Sequence, residues 1–352
     1  MVRPRRWQIL LVVFLVITAG VAFIRFWHEA KRIGRGASPG SFFRQDEADQ
    51  PIRVDPLTGL PPLQDAEYFA AVIENAPAAR PQRGLGAASI VYEMLAEGGI
   101  TRFLAFYSGR SSVEIGPIRS VRPYIVDIAS GHGTVLAHCG GSQEALAIIA
   151  ESNYPSVNEL VQGSAFYRDN TRRVPHNLYA KAESILDCAR RMGYRTDFAE
   201  SGYVFRKREA RGNSNPIEVT IRYSPGYSVQ WEYDAKTSLW LRSINKKPHV
   251  DANTGQQIAA ANVIIEVVPT RVLDDEGRLS MELVGSGEVV ALSAGEVMCG
   301  RWVRLSGTTD PAVYVAETGT PIELCPGNTW VQIVSEANMV EINSGQGELG
   351  GG

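Results

Sequence analysis

Two arginines three residues apart carry the clearest chemistry in this sequence. Arg119 and Arg122 precede Pro123, which stands where a helix would begin. Two guanidinium groups beside the free amides of a helix start form a clamp suited to phosphate or carboxylate. The alternative is an internal ion-pair network, because buried arginines need carboxylate partners. Its candidate partners are Glu93, Glu97 and Glu114.

A glycine turn at residues 138–142 (HCGGS) offers a second kind of site. The pattern predicts a strand end, a turn and a helix capped by Ser142. Such a turn can direct several backbone amides at one ligand, or it can serve only as a turn with Ser142 as the N-cap. His138 and Cys139 are poorly placed as a base and nucleophile, since adjacent strand residues point to opposite faces.

A polar stretch near residue 170 contains the expected titrating group of the body, His176. A structural hydrogen-bonding role for His176 is the alternative. We predict that charged residues at element ends converge on one cleft and bind an anion there. The predicted ligand-binding residues are Arg80, Glu93, Arg119, Arg122, His138, Ser142, Arg168, His176 and Asn177.

Motifs for covalent or metal chemistry are absent from the sequence. It contains no Gly-x-Ser-x-Gly, His-Glu-x-x-His or Walker-type loop. The histidines share no metal-ligand spacing. We therefore predict no metal, no cofactor and no identified catalytic residue.

Five segments in this order and spacing resemble the YerB-like family of bacterial cell-envelope proteins. They are 97–102 (EGGITR), 116–123 (GPIRSVRP), 262–265 (NVII), 300–302 (GRW) and 326–330 (PGNTW). The resemblance covers about residues 55–338. It implies an exported protein at the outer face of the cytoplasmic membrane, often held by a lipidated cysteine. It also implies an α+β fold with a large mixed sheet, but no catalytic residue.

The N-terminus predicts a membrane anchor at residues 1–27 and a flexible stalk at residues 28–51. Sixteen uncharged residues, Ile9 to Ile24, lie between Trp7 and Trp27. A cleavable signal peptide is the alternative. By the positive-inside rule, the arginines on either side of this segment place the rest of the chain in the cytoplasm. The family resemblance implies the opposite side, and we adopt that orientation. A transmembrane segment in place of a lipid anchor differs from the pattern of the family.

The predicted fold class is α+β with a single transmembrane helix. Residues 52–200 show mixed strand and helix patterns and predict a mixed sheet with packed helices. Residues 201–340 show short strands split by turn residues and predict a smaller β-rich domain. We predict a disordered tail at residues 341–352.

Charge argues against nucleic acid as a partner. The chain has 35 basic and 38 acidic residues, of which residues 1–50 hold 8 and 4. The body therefore carries 27 basic against 34 acidic residues, a net charge of −7. Such a body lacks the positive field that nucleic acid selects.

Four cysteines, an even number, permit disulfides in an exported body. We predict a Cys299–Cys325 bond, because both residues lie in short strand-like segments separated by turn signals. Four reduced thiols that behave as small hydrophobic groups are the alternative.

Three functional classes follow from these observations. The favoured one is a noncatalytic envelope module that binds an anionic ligand or an envelope partner, for example a cell-wall component. The second is a phosphotransferase or hydrolase acting on polyprenyl-phosphate or cell-wall glycan precursors, by analogy alone. The third is a structural partner of an envelope enzyme. The absence of a recognised nucleophile or metal set favours the first.

Overall fold

Strands dominate the structure. The computed structural model describes residues 54–109, 111–206, 217–305 and 310–344. The strands up to residue 206 are β1 Tyr68–Glu74, β2 Ile90–Leu95, β3 Thr101–Ser108, β4 Glu114–Ile115, β5 Val135–His138, β6 Ser156–Asn158, β7 Phe166–Arg168, β8 Leu178–Lys181 and β9 Val204–Phe205. The α-helices are α1 Pro123–Gly131, α2 Gln143–Glu151 and α3 Ala182–Arg191.

The chain after residue 216 contains strands, turns and a short 3-10 helix. Its strands are β10 Ile217–Ser224, β11 Tyr227–Asp234, β12 Leu239–Ile244, β13 Lys247–Pro248, β14 Ala259–Ala260, β15 Asn262–Val267, β16 Thr270–Val272, β17 Leu279–Met281, β18 Gly285–Ser293, β19 Glu296–Arg304, β20 Val313–Ala316, β21 Glu323–Leu324, β22 Thr329–Val334 and β23 Val340–Ser344. Short 3-10 helices lie at Pro77–Ala79, Leu85–Ala87, Glu97–Gly99, Gly163–Ala165 and Ala337–Met339.

A ten-stranded mixed sheet draws strands from both halves of the chain. Its order is β20-β19-β18-β15-β22-β2-β3-β1-β5-β6. The halves meet where β22 pairs in parallel with β2. A second, antiparallel sheet has the order β13-β12-β11-β10-β23, with β14 also paired to β12.

Both faces of the ten-stranded sheet are covered. Phe69, Ala71 and Ile73 of β1 belong to a core that includes Trp231 of the second sheet, together with α3. The alternate β1 residues 68, 70 and 72 belong to another core that includes α1. Side chains alternate between the faces of a strand, so a sheet buried on both sides needs strands that are apolar throughout. That explains why every residue of β1 is buried.

The fold class predicted from the sequence is wrong. Strands outnumber α-helices by 23 to 3 among the described residues. The sheet expected for residues 52–200 alone also continues through strands of the second half. Pairing between residues as distant as Ile90 and Thr329 has no local sequence signature, so local patterns predict the two halves as separate domains.

Predictions for the chain ends fall mainly outside the described residues. The anchor at residues 1–27 and the stalk at 28–51 lie in this part of the chain. Within the described ranges, no helix is long and apolar enough to cross a membrane. Residues 341–344, predicted as part of a disordered tail, belong to β23, and residues 345–352 are not described.

Candidate functional site

The carboxyl ends of three neighbouring strands meet at one edge of the ten-stranded sheet. β1 pairs in parallel with β5, and β5 pairs in parallel with β6. Their last residues are Glu74, His138 and Asn158. In open sheets with parallel strands, ligands bind in the crevice outside the carboxyl ends. We call this place the carboxyl edge.

The segment before α1 enters the carboxyl edge. β1 and β5 stay paired as far as Ala71 and Ala137. Beyond them, the amide of Arg119 donates to the carbonyl of Val72 at 2.9 Å, and the amide of Cys139 donates to the carbonyl of Arg119 at 3.0 Å. The backbone of Arg119 is therefore held between the two strand ends.

Glu74 binds two of the predicted site residues. One of its carboxylate oxygens lies 3.1 Å from Nε of Arg119, and the other lies 3.0 Å from Nδ1 of His176. The carboxylate is buried, whereas both partners are part-exposed. A buried carboxylate needs such charged or hydrogen-bonding partners. Glu74 thus fixes the position of the arginine and the orientation of the imidazole.

Glu159 organises the neighbouring part of the carboxyl edge. Nη2 of Arg168 lies 3.2 Å from Glu159 Oε1, and Nη1 of Arg168 donates to Asn177 Oδ1 at 3.1 Å. The thiol of Cys139 donates to Glu159 Oε2 at 3.2 Å. We define the carboxyl-edge cluster as Glu74, Arg119, Glu159, Arg168, His176 and Asn177.

Cys139 is a poor nucleophile in this setting. Burial and the hydrogen bond to the Glu159 carboxylate raise the pKa of its thiol to about 11. The thiol, not the reactive thiolate, therefore dominates at neutral pH. This supports the expectation that Cys139 and His138 do not form a nucleophile and base.

Replacing Glu159 with Gln should speed the alkylation of Cys139 severalfold at pH 8, because loss of the negative charge lowers the thiol pKa. The measurement is the rate of iodoacetamide labelling at each cysteine by peptide mass spectrometry. The exposed Cys299 serves as the internal control, with an unchanged rate. An unchanged or slower rate at Cys139 would contradict the assignment of Glu159 as the cause.

Arg122 and Ser142 lie in a different groove. Arg122 is the N-cap residue of α1, followed by Pro123 as predicted, and it is ion-paired with Glu97. Ser142 caps α2 and accepts from the amide of Ala145 at 3.2 Å. The groove has a volume of about 580 Å³ and is lined by Glu97, Arg122, Ser142, Gln143, Glu276 and Arg278. No residue of the carboxyl-edge cluster lines it.

Arg80 and Glu93 belong to a buried network between the two large sheets. Glu93 on β2 is fully buried, and its carboxylate lies 2.7 Å from Nη2 of Arg242 on β12. Arg80 donates to the side chain of Asn75 at 2.9 Å, and Asn75 donates in turn to Glu93 at 3.3 Å. Glu93 therefore contacts other side chains of the fold and not solvent.

His138 lies at the carboxyl edge but is buried. Its Nδ1 is 2.8 Å from the carbonyl of Gly140, so Nδ1 carries the proton. Its Nε2 has no partner within the described part of the chain. Burial lowers the pKa of His138, which favours the neutral ring. His138 thus adds no positive charge to the cluster.

The structure brings four of the nine predicted residues together in the cluster: Arg119, Arg168, His176 and Asn177. Both arginines form ion pairs: Arg122 with the expected candidate Glu97, and Arg119 with Glu74, which was not among the candidate partners. Glu74 and Glu159 also belong to the cluster, although they are not among the residues predicted from the sequence. The feature of the sequence that could have indicated them is a carboxylate at the last residue of a strand or directly after it.

All four cysteines, including Cys299 and Cys325 of the predicted disulfide, are free thiols in the structure. Cys299 is paired with Val290 of β18, whereas the amide of Cys325 donates to the side chain of Ser293. Three residues along a strand cover about 10 Å. The two cysteines are therefore held at different positions along β18.

The fold is that of a two-domain protein in which both halves of the chain contribute strands to one ten-stranded sheet. Comparison with known families identifies both halves. Residues 57–195 match the family described as "Protein of unknown function (DUF3048) N-terminal domain", and residues 219–331 match its C-terminal domain. The chain belongs to this DUF3048 family. The domain boundary near residue 200 stays a prediction, and it falls between the two matched segments.

The particular relatives confirm the resemblance to the YerB-like family. The chain is 31% identical over 299 residues to "Putative lipoprotein YerB" of Bacillus subtilis (strain 168), covering 83% of this chain and 89% of that protein. The crystal structure of the YerB protein from Bacillus subtilis matches with a TM-score of 0.75 and 30% identity, covering 83% of this chain and 99% of that chain.

Proposed function

We propose that this protein is an extracytoplasmic envelope protein, held at the membrane, that binds an anionic ligand without transforming it. The name of the YerB relative, which describes a lipoprotein, supports the membrane association. The carboxyl-edge cluster supports the binding role.

The observation that carries the proposal is the direction in which the cluster presents its charges. The side chains of Arg119 and Arg168 are 30% and 44% exposed, whereas those of Glu74 and Glu159 are 4% and 16% exposed. The cationic groups thus face solvent while their carboxylates face inward. An approaching anion meets guanidinium donors first.

The buried carboxylates prepare the site for binding. Glu74 and Asn177 hold the side chains of Arg119, Arg168 and His176 in place before a ligand arrives. Pre-ordered donors lose less conformational entropy on binding. Guanidinium groups suit phosphate or carboxylate, because they form paired, charge-assisted hydrogen bonds.

Replacing Arg119 or Arg168 with Ala should weaken binding of methyl phosphate by about 1.5–3 kcal/mol, the worth of a charge-assisted hydrogen bond. Isothermal titration calorimetry on the purified chain measures this. The control is Arg195→Ala, an exposed arginine paired with Asp197. It lies at the opposite end of β1, because the carbonyl of Thr196 accepts from the amide of Tyr68.

Equal weakening by all three variants, or no binding of methyl phosphate, would contradict the proposal. In the second case, the third class, a structural partner of an envelope enzyme, becomes the better interpretation. Circular dichroism melting curves of each variant separate lost binding from lost folding.

One feature favours the enzymatic alternative, a phosphotransferase or hydrolase. A buried carboxylate bonded to Nδ1 of a histidine, as in Glu74 and His176, is an arrangement that orients a general base. Release of p-nitrophenol from p-nitrophenyl phosphate by the wild type, abolished by His176→Gln, would replace the noncatalytic proposal with this one.

A further inference from the structure

Three aliphatic side chains at the rim of the carboxyl-edge cluster are unusually exposed. Leu160, Val161 and Val174 are 70%, 73% and 71% exposed. Within the described ranges, the next most exposed large apolar side chain is Val272, at 68%. Exposed single aliphatic residues are common, but three beside one polar site form a patch that needs an explanation.

These side chains adjoin residues of the cluster in sequence. Leu160 and Val161 directly follow Glu159, and Val174 lies two residues before His176. Leu160 packs over the turn after β5, where a Cβ added at Gly140 would lie 3.1 Å from Leu160 Cδ1. Arg168 joins the two loops, because it contacts both Glu159 and Asn177. The three aliphatic side chains therefore lie on the two loops that carry Glu159, His176 and Asn177 of the cluster.

We propose that the ligand is an amphiphile with a phosphate head group and an aliphatic tail, that is, a lipid monophosphate. This inference rests on the proposed function. The guanidinium groups of Arg119 and Arg168 bind the head group, and Leu160, Val161 and Val174 cover the first methylenes of the tail. Charge complementarity selects the anionic head, and a rim of aliphatic side chains suits a hydrocarbon chain.

The test compares alkyl phosphates of increasing chain length, all below their micelle concentrations. Methyl, butyl and octyl phosphate are titrated into the full chain by calorimetry. We expect affinity to rise at least tenfold from methyl to octyl phosphate, because each buried methylene favours binding. Octanol, which lacks the phosphate, should not bind measurably.

Matched variants distinguish binding of the aliphatic tail from binding of the phosphate head group. A variant with Leu160→Ser, Val161→Ser and Val174→Ser should bind the three phosphates within about twofold of one another, with methyl phosphate affinity as in the wild type. The control carries Val272→Ser and Leu273→Ser, exposed residues at the end of β16 and just after it, and it should keep the chain-length dependence.

The outcomes distinguish the two proposals. Binding of methyl phosphate with no chain-length dependence overturns the lipid inference and leaves the anion site standing. No binding of any phosphate overturns both. Chain-length dependence that survives in the triple serine variant overturns the assignment of the tail to this patch.

Discussion

Replacing Glu93 with Gln is expected to lower the free energy of unfolding by about 3–5 kcal/mol. Glu93 and Arg242 are both fully buried, and their charged atoms lie 2.7 Å apart. The substitution removes the negative charge and leaves the guanidinium buried without compensation. Such a charge cannot be solvated, so the folded state carries the cost of an unpaired buried charge.

The surroundings of Arg242 explain why no other carboxylate replaces Glu93. Its guanidinium lies 4.6 Å from the centre of the Trp330 ring and 5.3 Å from that of Trp231. Its Nε donates to Nδ1 of His249 at 2.9 Å. Burial and the nearby Arg242 charge lower the pKa of His249 well below its usual value, so its ring is neutral. None of these groups supplies a negative charge.

Urea unfolding followed by tryptophan fluorescence measures the loss. The matched control is Glu341→Gln, which breaks the exposed Arg222–Glu341 pair and should leave the midpoint unchanged. A double variant with Glu93→Leu and Arg242→Met should be more stable than Glu93→Gln alone, because it buries no charge. A Glu93→Gln protein as stable as the wild type would show that the pair does not stabilise the contact between the sheets.

The second large effect is expected at Trp330 on β22. Trp330→Ala should cost about 3–5 kcal/mol, the usual range for removing a fully buried large aromatic side chain. The ring packs edge-on against Phe103 at 5.5 Å and against Trp231 at 5.4 Å between centroids. It also contacts the Arg242 guanidinium, so its loss leaves both a cavity and a weaker cation–π interaction.

Trp330→Phe is the matched control, and it should cost clearly less. It keeps an aromatic ring and removes an indole N–H that has no hydrogen-bond partner in the described structure. The effects of Trp330→Ala and Glu93→Gln should not add, since both act on Arg242. Additive effects within experimental error would contradict the packing of Trp330 against that guanidinium.

Local sequence patterns were enough to place some of the individual elements. The helix start predicted at Pro123 corresponds to the start of α1, and the strand end predicted before the glycine turn corresponds to the end of β5. Proline at a helix start and runs of apolar residues are local signals, because they reflect backbone geometry and burial within a few residues. The family segments, which depend only on residue order, were likewise visible in the sequence.

The candidate site was partly visible for the same reason. Arg119, Arg168 and His176 stood out as charged residues near the ends of predicted elements, and the structure gathers them. Glu93 stood out equally but is buried against Arg242. Nothing near Glu93 in the sequence indicates a partner 149 residues away. A charged residue on a strand can face solvent or a second sheet, and only the packing of the sheets decides which.

The sequence by itself determined the starts of α1 and α2, the family and four of the residues that form the carboxyl-edge cluster. Tertiary structure alone decided that both halves share one sheet, that Arg119 pairs with Glu74, and that Glu93 lies in the core. The physical reason is the distance along the sequence over which each kind of interaction acts. Periodicity, capping and turn chemistry act over a few residues, whereas strand pairing and the burial of charge depend on chain segments that meet only after folding.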